Sequence, residues 1–329
     1  MTNVSSDLCV IITARDAATT IGDAISSALG QPQVGEVVLV DDASSDQTAD
    51  IALQKSKGDT RLHVIRMSKN IGPAAARNLA IAESVSPLIA VLDADDYFLA
   101  DRAAALLNCQ DWDIVADNIV FVPESQMSLC TRADLPESDA SAVMRMTTAE
   151  FIRGNIPSRT VNRGELGFLK PIISRAFLDA HNLRYDETLR LGEDYDLYVR
   201  MLANGARFSA ISQVGYVARV RPNSLSGRHN SSDLRALCDA SEKHALLPLQ
   251  SQERAALADY LASLKARYLL HAFLERKRDH GLWSAAAFAL NPPVNFSAIA
   301  RGVARDKFSK LWGDTTEASD SKRFLLPVD

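Results

Sequence analysis

The sequence predicts an α/β fold: a doubly wound, mostly parallel sheet followed by a mainly helical C-terminal extension. Three observations carry this. Four short apolar, β-branched runs fall in the first hundred residues, each separated from the next by a stretch with helical spacing. Two of those runs end in clusters of aspartates. Beyond about residue 230 the strand patterns stop, and apolar residues recur at helical intervals as far as Leu290.

The elements follow in order. "LCVIIT" (8–13) is an apolar run of the kind buried on both faces of a sheet. "TTIGDAISSAL" places Ile21, Ile25 and Leu29 on one helical face. "EVVLV" (36–40) is a second buried strand, "TADIALQKS" a second helix and "RLHVIRM" (61–67) a third strand. "PAAARNLAIAES" is a third helix with Pro73 in its first turn. "PLIAVL" (87–92) is a fourth strand. Strands alternating with helices imply parallel pairing, and such sheets bind ligands at the carboxyl ends of their strands, where the strand order switches. From 112 to 228 the pattern is less regular. "DIVADNIVFV" reads as strand, "RADLPESDASA" as loop, and "KPIISRAFLDAHN" as strand then helix. Near the end, "NPPVNFSAIARGVARDKFSKLWG" is a proline break before a basic amphipathic segment.

Composition limits the function. The chain has 329 residues, 47% hydrophobic and 23% charged, as expected of a soluble globular protein with a large core. Its net charge of −5 gives no overall pull toward nucleic acid. The four cysteines are far apart and form no CxxC pair, so a reduced, cytoplasmic setting is expected. Neither a signal-peptide pattern nor a membrane-length apolar run is visible.

The chemistry is expected at the strand ends. Asp41 and Asp42 close the second strand; Asp93, Asp95 and Asp96 close the fourth. Five carboxylates on one sheet edge repel each other, and a hard cation such as Mg²⁺ or Mn²⁺ relieves that repulsion through oxygen ligands. The competing reading is helix capping, by Ser45 or Asp46 before one helix and Asp96 or Asp101 before the next. Between the clusters, "SKNIGPAAARN" has Gly72 and Pro73 opening a helix that carries Arg77, a possible anion site. It matches neither GxGxxG nor GxxxxGK[ST]. Further on, "LGEDYDLYVR" puts Glu193 and Asp194 in a first helical turn, where acids are favoured whether or not they react.

"VIITARDAATTIGDAISSAL", "VVLVDDASSDQT", "NIGPAAARNLAI", "LDADD" and "GEDYDLYVRM" stand in the order and spacing of family 2 glycosyltransferases, and the chain resembles them over about residues 8–228. These are inverting enzymes of the GT-A fold; within the family the chain is most similar to bacterial exopolysaccharide glucosyltransferases of the succinoglycan type. The resemblance implies a nucleotide-sugar-binding half (1–110), an acceptor-binding half (111–230) and a helical extension (231–329). It implies that Thr13, Ala14 and Arg15 meet the nucleotide base, although Arg15-Asp16 departs from the family's usual P-A-Y-N pattern. Asp42, with Asp41 beside it, then reads the uracil. Asp93 lies near the ribose, Asp95 binds Mg²⁺ or Mn²⁺, and Asp96 supports. Gly72 and Arg77 belong to the donor site. Asp194 matches the catalytic base, with Glu193 supporting it. "RVRPNSLSGR" resembles the loop that closes over the diphosphate, with Arg219, Arg221 and Ser226 as candidates; His229 is not assigned as a metal ligand. The implied partners are a UDP-sugar donor, UDP-glucose first, and a lipid-linked oligosaccharide acceptor.

The C-terminal third adds a basic stretch. Arg301, Arg305, Lys307 and Lys310 interleave with Phe296, Ile299, Val303, Phe308, Leu311 and Trp312. It is either a core-packing helix with a solvated face or a peripheral contact with the inner face of the bacterial plasma membrane. Two other classes fit a sheet with acids at its edge. A phosphoacceptor module needs a lone acid and a downstream Lys rather than a DAD cluster. A nucleotidyltransferase would consume a nucleoside triphosphate.

Overall fold

In the computed structural model, the structure describes residues 7–136, 143–157, 165–221, 230–292, 296, 299–300 and 322–327. β1 (Leu8–Ala14), α1 (Ile21–Leu29), β2 (Val34–Asp41), α2 (Thr48–Ser56), β3 (Leu62–Arg66), α3 (Pro73–Glu83) and β4 (Leu88–Asp93) form the expected alternation. Every residue of β1 but Thr13 is buried, which is why its run is continuously apolar. After β5 (Tyr97–Phe98) and α4 (Arg102–Leu107) comes the long β6 (Ile114–Pro123). Then follow β7 (Val143–Met146), α5 (Thr148–Arg153), β8 (Ile172–Ser174), α6 (Arg175–Ala180), α7 (Glu193–Ala203) and β9 (Phe208–Val220). The chain closes with α8 (Ser231–Lys243), α9 (Ser251–Leu290) and β10 (Arg323–Phe324).

One sheet holds all the strands among the described residues, with a main order β3-β2-β1-β4-β8-β6-β9-β5; β10 pairs with β6 and β7 with β9. The first four strands pair in parallel, and so do the long β6 and β9. The short β8 joins these two parallel blocks by running antiparallel to both β4 and β6. The order reverses between β1 and β4, the switch point at which a doubly wound sheet opens a crevice. The main buried cluster runs from Leu8 in β1 to Leu326 after β10 and includes Leu257, Tyr260 and Leu264 of α9, so the three segments expected from the sequence share one core.

Helix starts are set locally. Pro73 opens α3, and a reciprocal Thr147–Glu150 capping box opens α5. The capping expected of the strand-end acids is only partly present. Asp46 accepts from the Thr48 amide, but Asp101 precedes α4 without a side-chain bond to it. Within α9 the chain breaks at Gly281 (φ 81°), a backbone state that disfavours side chains. Arg276 lies 4.6 Å from the ring centre of Phe288 across that break, whereas a straight helix would separate the two by about 18 Å. The last turns of α9 therefore fold back on those before Gly281.

Candidate active site

Register brings the expected acids to one edge. Ala14 pairs with Asp41 across β1 and β2, and Thr13 with Asp93 across β1 and β4. The ends of three adjacent parallel strands thus present Thr13, Ala14, Asp41 and Asp93 side by side at the switch point. The Asp42 amide donates to the Ala14 carbonyl at 2.8 Å, continuing the alignment one residue further. The loops beyond are tied together. The Asp16 carboxylate accepts from the Ser45 amide and hydroxyl, and the Ala17 amide donates to the Thr48 hydroxyl. Arg15 stays largely exposed, 3.7 Å from Asp16.

Asp42 is buried and already well supplied with donors. The Asn70 side chain, the Ile71 amide and the Gly72 amide donate to it at 2.6, 2.6 and 2.9 Å. Three of its roughly four acceptor positions are used to fix the loop ahead of α3. The Ile71 and Gly72 amides just ahead of α3 thus already hold an anionic group, the Asp42 carboxylate. Asp41 accepts from the Ser44 amide at 3.0 Å.

Arg77, expected one turn into the helix of an anion site, is held within the protein by carboxylates. It is not a free cation one turn into α3 but the buried centre of an acid cluster. Nη2 donates to Asp93 Oδ1 at 2.9 Å; Nη1 donates to Glu193 Oε1 at 2.6 Å and Asp194 Oδ1 at 3.2 Å. Both terminal nitrogens are engaged by carboxylates. Lys170 completes the cluster. Its Nζ lies 2.9 Å from Asp93 Oδ2 and 2.8 Å from Asp194 Oδ2. Asp93 and Asp194 therefore each place one oxygen on Arg77 and the other on Lys170, closing a ring of alternating charge. Burial opposes the charge of Asp93, yet Lys170 and Arg77 hold its pKa down at about 2. Burial likewise opposes the charge of Lys170, and Asp194 and Asp93 outweigh it, holding the ammonium above its ordinary value.

Asp194 reaches this ring because α7 follows directly on Gly192, whose φ of 74° turns the chain in from the preceding loop. Leu237 of α8 packs so close that a Cβ on Gly192 would lie 2.9 Å from its methyl groups.

The other side of the DAD segment is different. Asp95, half-buried, receives no hydrogen bond from any described side chain. Burial and the neighbouring Asp93 push its carboxyl above the usual range, with Arg221 pulling the other way. Asp96 is buried and does not cap a helix. It accepts from Tyr216 Oη at 2.8 Å and the Arg219 amide at 2.8 Å, and burial first, then Asp95 and Asp93, hold its carboxyl well above the usual range. Tyr216 Oη in turn accepts from the Asp93 amide at 3.1 Å. Arg219 donates to the Asp95 carbonyl at 3.2 Å and pairs with Asp23. Arg221 Nε lies 3.2 Å from Glu124 Oε1, yet Nε and Nη2, both buried, make no hydrogen bond with any described residue. Ser226 and His229 lie outside the described residues.

Among the described residues no three acids, histidines or cysteines converge into a protein-built metal cage. The donor set still fits Mg²⁺ or Mn²⁺. These ions take one or two carboxylates and complete their shells with phosphate and water. Asp95, under-donated and pressed by Asp93, is the carboxylate that gains most from a cation.

Sequence reasoning missed Lys170, Tyr216 and the buried Arg102–Asp117 pair behind them. A signal existed for Lys170: it is a charge inside the apolar run "GFLKPIIS", and a charge there needs a partner.

The family model described as Glycosyl transferase family 2 matches residues 9–128. The succinoglycan biosynthesis protein ExoU of Rhizobium meliloti (strain 1021) is 47% identical over 309 residues, covering 93% of this chain and 89% of that protein. Among solved structures, S. aureus TarS 1-349 in complex with UDP-GlcNAc superposes with a TM-score of 0.58 at 18% identity, covering 87% of this chain and 92% of that one. The mannosyltransferase PcManGT from Pyrobaculum calidifontis, in complex with GDP-Man and Mn²⁺, gives 0.55 at 18% identity, covering 94% and 88%. The sheet, its switch point and these likenesses agree: the chain belongs to glycosyltransferase family 2 and is a transferase of the GT-A fold.

Proposed function

We propose that this enzyme transfers a sugar, glucose from UDP-glucose as the first choice, to a hydroxyl of a growing lipid-linked bacterial exopolysaccharide unit, with inversion at the anomeric carbon. The observation that carries the reading is the Asp194 carboxylate at the start of α7, fastened through Lys170 and Arg77 to Asp93 at the sheet edge. The kinship with ExoU supports the exopolysaccharide assignment, and the TarS complex with UDP-GlcNAc supports a UDP-sugar donor.

Asp194 takes the proton that the acceptor hydroxyl loses as it attacks the anomeric carbon, on the face opposite the departing diphosphate. No second acid is needed, because the leaving group departs as a diphosphate; glycoside hydrolysis, by contrast, uses a carboxyl pair. Three carboxylates (Asp93, Glu193, Asp194) face two cations (Arg77, Lys170), so the cluster carries one net negative charge before the proton arrives and none after. Glu193 supports the base by supplying that balance. Thr13, Ala14, Arg15, Asp41 and Asp42 form the base side of the donor site, Gly72 belongs to it at the opening of α3, Asp93 forms the ribose side, and Arg221 with Ser226 the diphosphate side; Asp96 holds the DAD turn to β9. Asp95 would hold Mg²⁺ or Mn²⁺, which when bound supplies charge stabilisation to the diphosphate.

Peripheral contact with the inner face of the plasma membrane fits the acceptor. The expected basic segment lies mostly outside the described residues. Beside it, past Gly281, Leu282, Trp283 and Leu290 share one side of α9 and are exposed, Trp283 by 90%. Arg276, Lys277 and Arg278 just before the break suit anionic lipid. Among the described residues no helix is long and apolar enough to cross a membrane. Sedimentation with anionic vesicles should fall in Trp283→Ser; equal sedimentation counts against this contact.

A donor screen tests the main reading. Nucleoside diphosphate release is measured for each sugar nucleotide, with and without a bacterial membrane extract as acceptor, and with and without Mn²⁺. The reading requires release that depends on a UDP-sugar, the extract and the cation. Pyrophosphate release from a nucleoside triphosphate would favour a nucleotidyltransferase instead.

A further inference from the structure

Lys170 belongs to none of the sequence motifs that mark the site, yet it is the group both key acids share. It is 6% exposed, and its ammonium lies within 3 Å of one oxygen of Asp93 and one of Asp194. A lysine carries a long, flexible stem, and ordering and burying it is costly unless its charge is well matched. Here the stem is fixed from behind. The Lys170 carbonyl accepts from Arg102 Nη2, and the Leu169 carbonyl before it accepts from Tyr198 Oη at 3.3 Å. Arg102 is 1% exposed and grips Asp117 through Nε at 3.1 and 3.0 Å and Nη2 at 2.8 Å. Its guanidinium lies over the ring of Phe98 at 4.3 Å and near that of Tyr216 at 5.5 Å. Pro171 follows Lys170 and restricts the backbone on the other side.

Arg77 touches the same two acids, but it also serves Glu193 and reaches Asp194 only at 3.2 Å. The shorter contact to Asp194 comes from Lys170. α7 carries Asp194 and belongs to the later half of the fold, whereas Asp93 ends a strand of the first half. The ammonium thus joins the proposed proton acceptor to the donor edge directly, and the Arg102–Asp117 pair keeps the chain at Lys170 in place.

We propose that Lys170 is a positioning residue for the transfer: it holds the Asp194 carboxylate at the Asp93 edge of the donor site, so that acceptor hydroxyl and anomeric carbon meet in register. This rests on the reading of Asp194 as base. A small misplacement of a reacting group lowers turnover far more than it lowers binding.

The test is a double-mutant cycle on the full chain, with turnover and UDP affinity in Mn²⁺ measured for Lys170→Met, Lys170→Arg, Asp194→Asn and the two combinations with Asp194→Asn. Lys170→Met should lose roughly 10²-fold in turnover and change UDP affinity only a few-fold, with Lys170→Arg in between. On the Asp194→Asn background either Lys170 substitution should cost almost nothing further, because the group it positions is already disabled. Losses that multiply would show that Lys170 acts independently of Asp194, and normal turnover in Lys170→Met would show that it positions nothing; either result overturns the proposal. Should Lys170→Met fail to fold, Lys170→Arg, which keeps the charge, carries the same cycle. If Asp194→Asn itself turns over normally, the reading of the base fails, whereas a crippled Asp194→Asn beside a normal Lys170→Met leaves the base in place and removes only Lys170.

Discussion

Asp93 and Asp95 are two residues apart in one turn, and the protein treats them in opposite ways. Asp93 is met by Arg77 and Lys170 from two other parts of the fold, and its pKa sits at about 2. Asp95 is met by neither, and burial and Asp93 push its carboxyl up. The first acid has its counter-charges built in. The second is left short of positive charge, as expected where the counter-charge arrives with the donor.

This contrast can be broken by substitution in metal-free buffer. The largest effect belongs to Arg77→Met. Removing one guanidinium leaves Asp93, Glu193 and Asp194 with a single cation, and stability should fall by about 3–5 kcal/mol, as when a buried pair loses one partner. Denaturant unfolding checks this; an unchanged midpoint would mean that the cluster does not hold the fold together. Asp93→Asn should destabilise less, because the amide oxygen still accepts one of the two bonds. Its effect also depends on pH. The folded pKa of Asp93 is depressed, so its contribution is present above the ordinary value of 3.8 and is lost as pH falls through about 2. The gap between Asp93→Asn and the unmodified protein should therefore close across that window in acid titrations of stability.

Asp95→Asn should give the smallest change, with the opposite sign. Its folded pKa is raised, so the carboxylate burdens the fold at neutral pH and stops doing so below its unfolded pKa. The variant should be slightly more stable than the unmodified protein near pH 7 and equal to it in acid. Calorimetric UDP titrations should then show that Mn²⁺ no longer tightens binding. A destabilised Asp95→Asn would mean that the acid has a partner in the fold after all.

The same contrast marks what the sequence could reveal. The parallel half was legible because β1, β2 and β4 are largely buried and read as apolar runs, and the acids were legible because they end two of those runs. The joint between the two parallel blocks was less visible: the strand in "KPIIS" could be read, but its three residues carry no sign that it runs antiparallel to both neighbours. Arg77 was found, but its environment was not. A helix N-terminus and an arginine suggest an anion, and only the fold shows that three carboxylates from two other segments already surround the guanidinium. Lys170 was missed for the same reason, since its partners lie 77 and 24 positions away in the chain. Local rules place single residues; charge clusters form between segments, where no spacing rule applies.

The central claim is that Asp194 accepts the proton. Asp194→Asn keeps the shape of the side chain, and the start of α7 does not depend on it for a cap, since no side chain caps this helix. Turnover and UDP affinity are measured together for this one variant. The account predicts turnover lower by roughly 10²- to 10⁴-fold with UDP affinity within a few-fold of the unmodified enzyme. Near-normal turnover would contradict it and leave Asp194 as a structural member of the ion-pair ring.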